Sequence, residues 1–243
     1  IITPWNYPLA LTMMDVIPAL MAGNAVVQKA DNQTAKTVAL ARGLAIHAGV
    51  PEAIWQVVQG DAAEVGNAVT DNADYVAFTG STPTGRIVAE RAAKRLIGYS
   101  LELGGKNPMI VLPGANLEQA AEIALGAAFG NAGQLCVSVE RLYVPNHALA
   151  AFETVLKRRI ESMTVGSSDS YSHDVGSLTS KAQVERVSGF VDRAVAEGAT
   201  VLTGGKRLEN LGPNFYAPTV LTAIPKTAEI LTKEVFGPVI ALV

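Results

Sequence analysis

Apolar and polar positions alternate along the chain in two periods. Short apolar, β-branched runs recur at residues 25–29, 54–58, 75–78 and 96–103, and each predicts a strand. Between them lie stretches with helical spacing at 34–48, 61–70 and 83–94. Gly49 and Pro51 stop the first of these. Thr82 is the expected N-cap of the third, with Pro83 at its first position. Strands this continuously apolar, alternating with helices, predict a parallel sheet covered on both faces.

The register changes after Gly104-Gly105, and a domain boundary is expected near residue 104. Beyond it the pattern gives a short strand at 108–111, an alanine-rich helix at 117–129, a glycine-containing loop at 131–138 and a strand at 139–144. Helices follow at 148–163 and 183–197, and short strands at 200–202 and 219–221. Gly126 and Gly130 form a small-xxx-small pair, expected to mark close packing. The fold class expected is α/β throughout.

Composition removes several classes. The chain has 243 residues, 49% hydrophobic and 17% charged, with a formal net charge of −3. That apolar content argues against disorder, and a mildly acidic chain gives no charge argument for nucleic acid. One cysteine excludes a disulfide scaffold. No stretch reads as a membrane span, and no secretory pattern opens the chain. A cytoplasmic location is expected, with which the single cysteine agrees. The chain opens Ile1-Ile2-Thr3-Pro4 without Met and closes on an apolar run, so an internal fragment of a longer protein is expected.

Three segments carry candidate chemistry. Thr79-Gly80-Ser81-Thr82-Pro83-Thr84-Gly85 follows an apolar strand and opens a helix, where free N–H groups attract anions. An ordinary strand–helix turn would look the same. Leu101-Glu102-Leu103-Gly104-Gly105-Lys106 sets a carboxylate at a strand end, where parallel α/β sheets bind ligands. Glu102 there is a general base or a salt-bridged side chain. Gly133-Gln134-Leu135-Cys136-Val137-Ser138 places the only thiol in a loop, as a nucleophile or as an inert buried cysteine. His47, His147 and His173 lack metal-ligand spacing, and there is no G-x-S-x-G elbow or Walker A loop.

Together these segments resemble the NAD(P)-dependent aldehyde dehydrogenase superfamily. The resemblance rests on Pro4-Trp5-Asn6-Tyr7-Pro8, Lys29, Phe78-Thr79-Gly80-Ser81, Leu101 to Lys106, Gly133-Gln134-x-Cys136 and Glu234-Val235-Phe236-Gly237-Pro238, in the family's order. It implies a partial Rossmann-like NAD(P)-binding domain over 1–104 and a partial catalytic domain over 105–243. It implies that Cys136 adds to an aldehyde carbonyl and that Asn6 and the Cys136 N–H receive the oxyanion. Hydride then leaves for the nicotinamide, and Glu102 activates water against the thioester. The implied cofactor contacts are Thr3, Pro4, Trp5, Lys29, Asn32, Gly80, Ser81, Leu103, Glu234 and Phe236, with no metal.

Members of the superfamily that pass the acyl group to coenzyme A lack this base, so the resemblance implies that Glu102 favours release of a free carboxylate. Asn32 stands where many NAD-preferring relatives have a glutamate, so NADP is expected to be accepted alongside NAD. The wording around Gln28-Lys29, Ser100-Leu101-Glu102 and Cys136 to Arg141 is most similar to NADP-type succinate-semialdehyde dehydrogenases. Two arginines that better-known members use for the substrate carboxylate are replaced by Met14 and Gly130, which keeps a hydrophobic aliphatic or aromatic aldehyde open. A non-catalytic homologue or fragment is the remaining alternative. The resemblance also implies a homo-oligomer for the complete protein, and no redox disulfide, since Ser138 stands where some members of the superfamily carry a second cysteine.

Overall fold

A computed structural model describes all residues, 1–243. The chain divides into two compact units, Ile1–Gly104 and Gly105–Val243.

In the first unit five strands form one sheet: β1 (Ile2–Thr3), β2 (Val26–Ala30), β3 (Trp55–Val58), β4 (Tyr75–Gly80) and β5 (Gly98–Leu103). All pairings are parallel and the order is β3-β2-β1-β4-β5. The crossovers are α1 (Pro8–Met21), α2 (Ala35–His47), α3 (Ala62–Asn72) and α4 (Thr82–Lys94). Parallel neighbours need such crossovers, because a tight turn cannot join them. The core is two clusters, one around Val16, Val26 and Trp55 and one around Val76, Phe78 and Val88. A buried polar relay joins three strands to α1. Gln28 donates to the Thr3 and Thr12 hydroxyls at 2.9 and 2.8 Å, and accepts from the Trp55 indole N–H at 3.1 Å. A relay with every member satisfied fixes β1 against β2.

The second unit has β6 (Asn107–Ile110), β7 (Val139–Tyr143), β8 (Thr200–Thr203), β9 (Thr219–Thr222) and β10 (Val239–Leu242), in the order β6-β7-β10-β9-β8. Its helices are α5 (Leu117–Phe129), α6 (Asn146–Glu161) and α7 (Lys181–Ala196). One continuous core holds this unit, from Phe129, Phe152 and Leu156 to Val220, Val235 and Ile240.

The α/β class with a parallel sheet holds, and several local expectations change. The cap of α4 is Ser81, not Thr82: its hydroxyl accepts from the Thr84 N–H, and Thr82 is already helical. Strand β5 starts at Gly98, because Leu96 is left-handed (φ 55) and 94% exposed. A side chain at Gly126 or Gly130 would meet nothing within 4 Å, so that pair marks open space rather than close packing. Strand β8 runs antiparallel to β9, making the second sheet mixed. Elements β1, α1 and β10 were not expected from the pattern.

Candidate active site

Parallel strands end together on one edge of the first sheet. On that edge stand Thr3 (end of β1), Lys29 (near the end of β2), Gly80 (end of β4) and Leu103 (end of β5). The strand order reverses at β1, which pairs with β2 on one side and β4 on the other. Ligands of open α/β sheets bind outside the carboxyl ends at such a reversal. Pro4, Trp5 and Asn6 form the turn from β1 into α1, and Ser81 caps α4 directly after β4. Two glycines let chain pass close by. A side chain at Gly80 would strike the Phe78 ring at 2.7 Å, and one at Gly85 would strike a Leu103 methyl at 2.5 Å.

Lys29 is 4% exposed and makes no ion pair. Three residues on, the Asn32 side-chain oxygen accepts from the Gly60 N–H at 3.3 Å, which leaves its NH2 as the presented end. Glu102, on the edge strand β5, is exposed and accepts no hydrogen bond. Thr3 is buried, and its hydroxyl is engaged by Gln28.

In the second unit the thiol loop follows α5. Asn131, Ala132 and Gly133 are all left-handed (φ 51, 54 and 71), a tight reversal just before Cys136. Gly133 is required twice: by its φ, and because a methyl there would fall 2.1 Å from the Gly237 carbonyl oxygen. The loop is pinned from several sides. The Asn107 side-chain NH2 donates to the Cys136 and Ser138 carbonyls at 2.7 and 2.9 Å. The Ser138 hydroxyl donates to the Ala128 carbonyl at 3.1 Å, and the Gln134 side chain accepts from the Thr179 N–H at 2.8 Å. Cys136 is half-buried and unpaired by any disulfide.

The turn 234–237 packs against this loop. Glu234 accepts from the Gly105 N–H at 3.2 Å, and Phe236 is left-handed (φ 59). The Phe236 carbonyl accepts from Gln183 at 2.6 Å, and the Glu234 carbonyl from Arg186 at 2.7 Å. Burial pushes the Glu234 carboxyl above its ordinary range and the nearby Glu140 carboxylate adds to this, against the Gly105 N–H, Arg186 and Lys106. Burial also lowers the proton affinity of Lys106, against the pull of Glu140.

The expected site residues thus fall into two sets. Thr3 to Asn6, Lys29, Asn32, Gly80, Ser81, Glu102 and Leu103 belong to the first unit. Cys136, Glu234 and Phe236 belong to the second, which brings the thiol loop and the Glu234 turn together. Lys106, Asn107 and Glu140 were missed as partners of the site. Glu140 had a signal: it is a carboxylate on the inward phase of β7, sharing a face with Leu142, while Arg141 takes the other phase.

A sequence profile described as the Aldehyde dehydrogenase family matches residues 1–243. The chain belongs to the aldehyde dehydrogenase family. Among family members, it is 49% identical over 242 residues to a protein of Mycobacterium tuberculosis (strain ATCC 25618 / H37Rv). That relative's name, itself provisional, is succinate-semialdehyde dehydrogenase 2 of the NADP(+) type; the match takes in 100% of this chain and 47% of the relative. A solved 3,6-anhydro-L-galactose dehydrogenase in complex with NAP superposes with a TM-score of 0.96 at 36% identity, over 100% of this chain and 52% of that one. An aldehyde dehydrogenase of Mycobacterium tuberculosis complexed with NAD+ gives 0.96 at 34%, over 100% and 50%. The chain therefore spans about half the length of the aldehyde dehydrogenases it matches.

Proposed function

We propose that this chain is part of an oxidoreductase that oxidises an aldehyde to the carboxylate, with NADP or NAD as acceptor. The observation that carries this is the Cys136 loop, fixed by three left-handed residues and Asn107 and packed on the 234–237 turn. A nucleophile held this way loses little entropy on attack.

The residues of the first unit fit a dinucleotide. A buried lysine without a carboxylate partner calls for an anionic ligand. A capped helix start at the strand-order reversal offers N–H groups to phosphate. In this proposal Lys29 and Asn32 take the adenosine ribose end. Ser81 and the start of α4 take the pyrophosphate, with Thr3, Pro4, Trp5, Gly80 and Leu103 around it. Glu234 and Phe236 take the nicotinamide ribose and ring. When bound, the nicotinamide supplies the two-electron acceptor. The Asn32 amide, with its oxygen engaged by Gly60, presents a donor to a 2′-phosphate, so NADP is accepted. A catalytic efficiency with NADP far below that with NAD would overturn this preference.

Cys136 as thiolate adds to the carbonyl carbon, and the Asn6 amide and the Cys136 N–H donate to the oxyanion. Collapse of the oxyanion would break the carbonyl C–H bond, with the hydride passing to the nicotinamide when that is bound, and would leave the acyl group as a thioester on Cys136. Glu102, which has no competing partner, takes a proton from water as that water attacks, and the carboxylate and free thiol are released. Glu102→Gln should abolish acid production.

The substrate proposed is succinate semialdehyde, in keeping with the names of the relatives. One observation favours a hydrophobic aldehyde instead. Met14, Ile17 and Met21 form an exposed apolar stripe on α1, a helix that carries no lysine or arginine to hold a carboxylate. No helix is long and apolar enough to cross a membrane, and a cytoplasmic homo-oligomer is proposed for the full protein. The test uses the full-length protein, a panel of aldehydes with NAD and NADP, and Cys136→Ala as blank. Turnover that survives in the blank, or none at all in a protein that binds cofactor, would refute the assignment.

A further inference from the structure

The turn 234–237 carries the two side chains, Glu234 and Phe236, that the functional proposal assigns to the nicotinamide end. Its backbone is not relaxed, since Phe236 sits at φ 59, a region non-glycine residues enter only where the surroundings over-determine it. Gln183 and Arg186 hold its carbonyls, and one group takes two of its N–H groups. The N–H groups of Val235 and Phe236 both point at the Glu140 carboxylate, at 3.0 and 2.9 Å. Successive N–H groups turned to one anion form a nest, and here the anion is a side chain of the same chain, about ninety-five residues away in sequence.

Glu140 is 2% exposed, and Lys106 is its counter-ion, with a side chain 8% exposed. Replacing a buried ion pair with apolar residues is commonly neutral or stabilising, so stability alone is a weak reason to hold one. The residues beside Lys106 tie the same region together. The Gly105 N–H donates to Glu234, and Asn107 donates to the Cys136 carbonyl. Arg141 returns from β7 to the Lys106 carbonyl at 2.6 Å.

We propose that Glu140, neutralised by Lys106, is a positioning residue: its carboxylate, seated in the N–H nest of Val235 and Phe236, sets the turn that presents Glu234 and Phe236 to the cofactor. The identity of the ligand rests on the functional proposal, whereas the clamp rests on these contacts alone.

The test uses the full-length protein with three variants: Glu140→Ala, Lys106→Met/Glu140→Leu and Lys106→Met/Glu140→Gln. The Leu double variant keeps the site filled without an acceptor, so the experiment survives if Glu140→Ala fails to fold. The Gln double variant restores one acceptor oxygen without stranding an ammonium. Three quantities are read: deuterium exchange of 233–238 without ligand, KM for NADP against kcat, and the alkylation rate of Cys136. Both acceptor-less variants should speed exchange at Val235 and Phe236 by about tenfold or more and raise the NADP KM about tenfold. Their alkylation rates should stay within about twofold, and the Gln variant should return exchange and KM to within about threefold of the parent. A folded Leu variant with parental exchange or parental NADP KM would overturn the proposal. So would a Gln variant no better than the Leu variant, or a lowered melting temperature with KM unmoved. If the parent binds neither NADP nor NAD, the functional proposal falls, and exchange alone then decides the clamp.

Discussion

Substituting Gly133 by alanine tests whether the thiol loop is set by backbone contact. A methyl there would lie 2.1 Å from the Gly237 carbonyl oxygen and 2.4 Å from its carbon. Both are backbone atoms and cannot rotate aside. Ordinary contact begins near 3.4 Å, so one of the two loops must retreat by about 1.3 Å. The left-handed φ of 71 adds about 1–2 kcal/mol for an L side chain, and the overpacking about 1–3 kcal/mol. The expected loss is about 2–5 kcal/mol of stability. An ångström of displacement at a nucleophile is worth about a hundredfold in rate, so kcat/KM should fall by about that factor even where the protein remains folded. Denaturant melts, kcat/KM and iodoacetamide labelling of Cys136 in the full-length protein read these effects. Gly126→Ala is the control, because it lies inside α5 with nothing within 4 Å of the new methyl. It should be neutral or gain up to about 1 kcal/mol. A Gly133→Ala protein with parental melting and a kcat/KM within threefold of the parent would refute the reasoning.

Three further outcomes are expected. Asn107→Ala removes the amide that holds the Cys136 and Ser138 carbonyls, at a cost of about 1–3 kcal/mol; kcat should fall and the NADP KM should hold, and the opposite split would contradict the assignment. Ser81→Ala deletes the α4 cap, costing about 1 kcal/mol and weakening cofactor binding, both readable by thermal shift with and without NADP. Glu234 has its folded-state carboxyl raised by burial, so the folded protein holds that proton more tightly than the unfolded chain. Its contribution to stability must therefore fall as pH rises from the unfolded value, about 4.3, through the raised one. Glu234→Gln should remove that decline, and identical melting-temperature profiles between pH 4 and 8 would show that the burial effect is absent.

How far the sequence alone discloses this molecule depends on the range of the interactions involved. Helix α5 was legible over its full length, 117–129, because the spacing that marks it is local. Helix α1 was not, because apolar residues surround much of its circumference and Pro18 stands inside it. Strand β1 is only two residues long and gains its identity from pairing with β2 and β4. The direction of β8 is set where the chain between 203 and 219 returns it beside β9, which no local pattern encodes. The thiol and the glycines around it were legible as motifs. Lys106, Asn107 and Glu140 were not, since their partners lie about thirty to ninety-five residues away and only folding reveals them.

The position of β10 has a consequence for how the protein is made. It follows β6 to β9 in the chain, yet it lies between β7 and β9 in the sheet. Ala241 pairs with Arg141, a hundred residues earlier. Until β10 has left the ribosome, β7 and β9 each expose a parallel edge with no partner, and such edges recruit other chains. The sheet that carries the thiol loop is thus built by late insertion into a waiting gap. Closing so long a loop is slow, so the gap between β7 and β9 is among the last parts of this sheet to be filled.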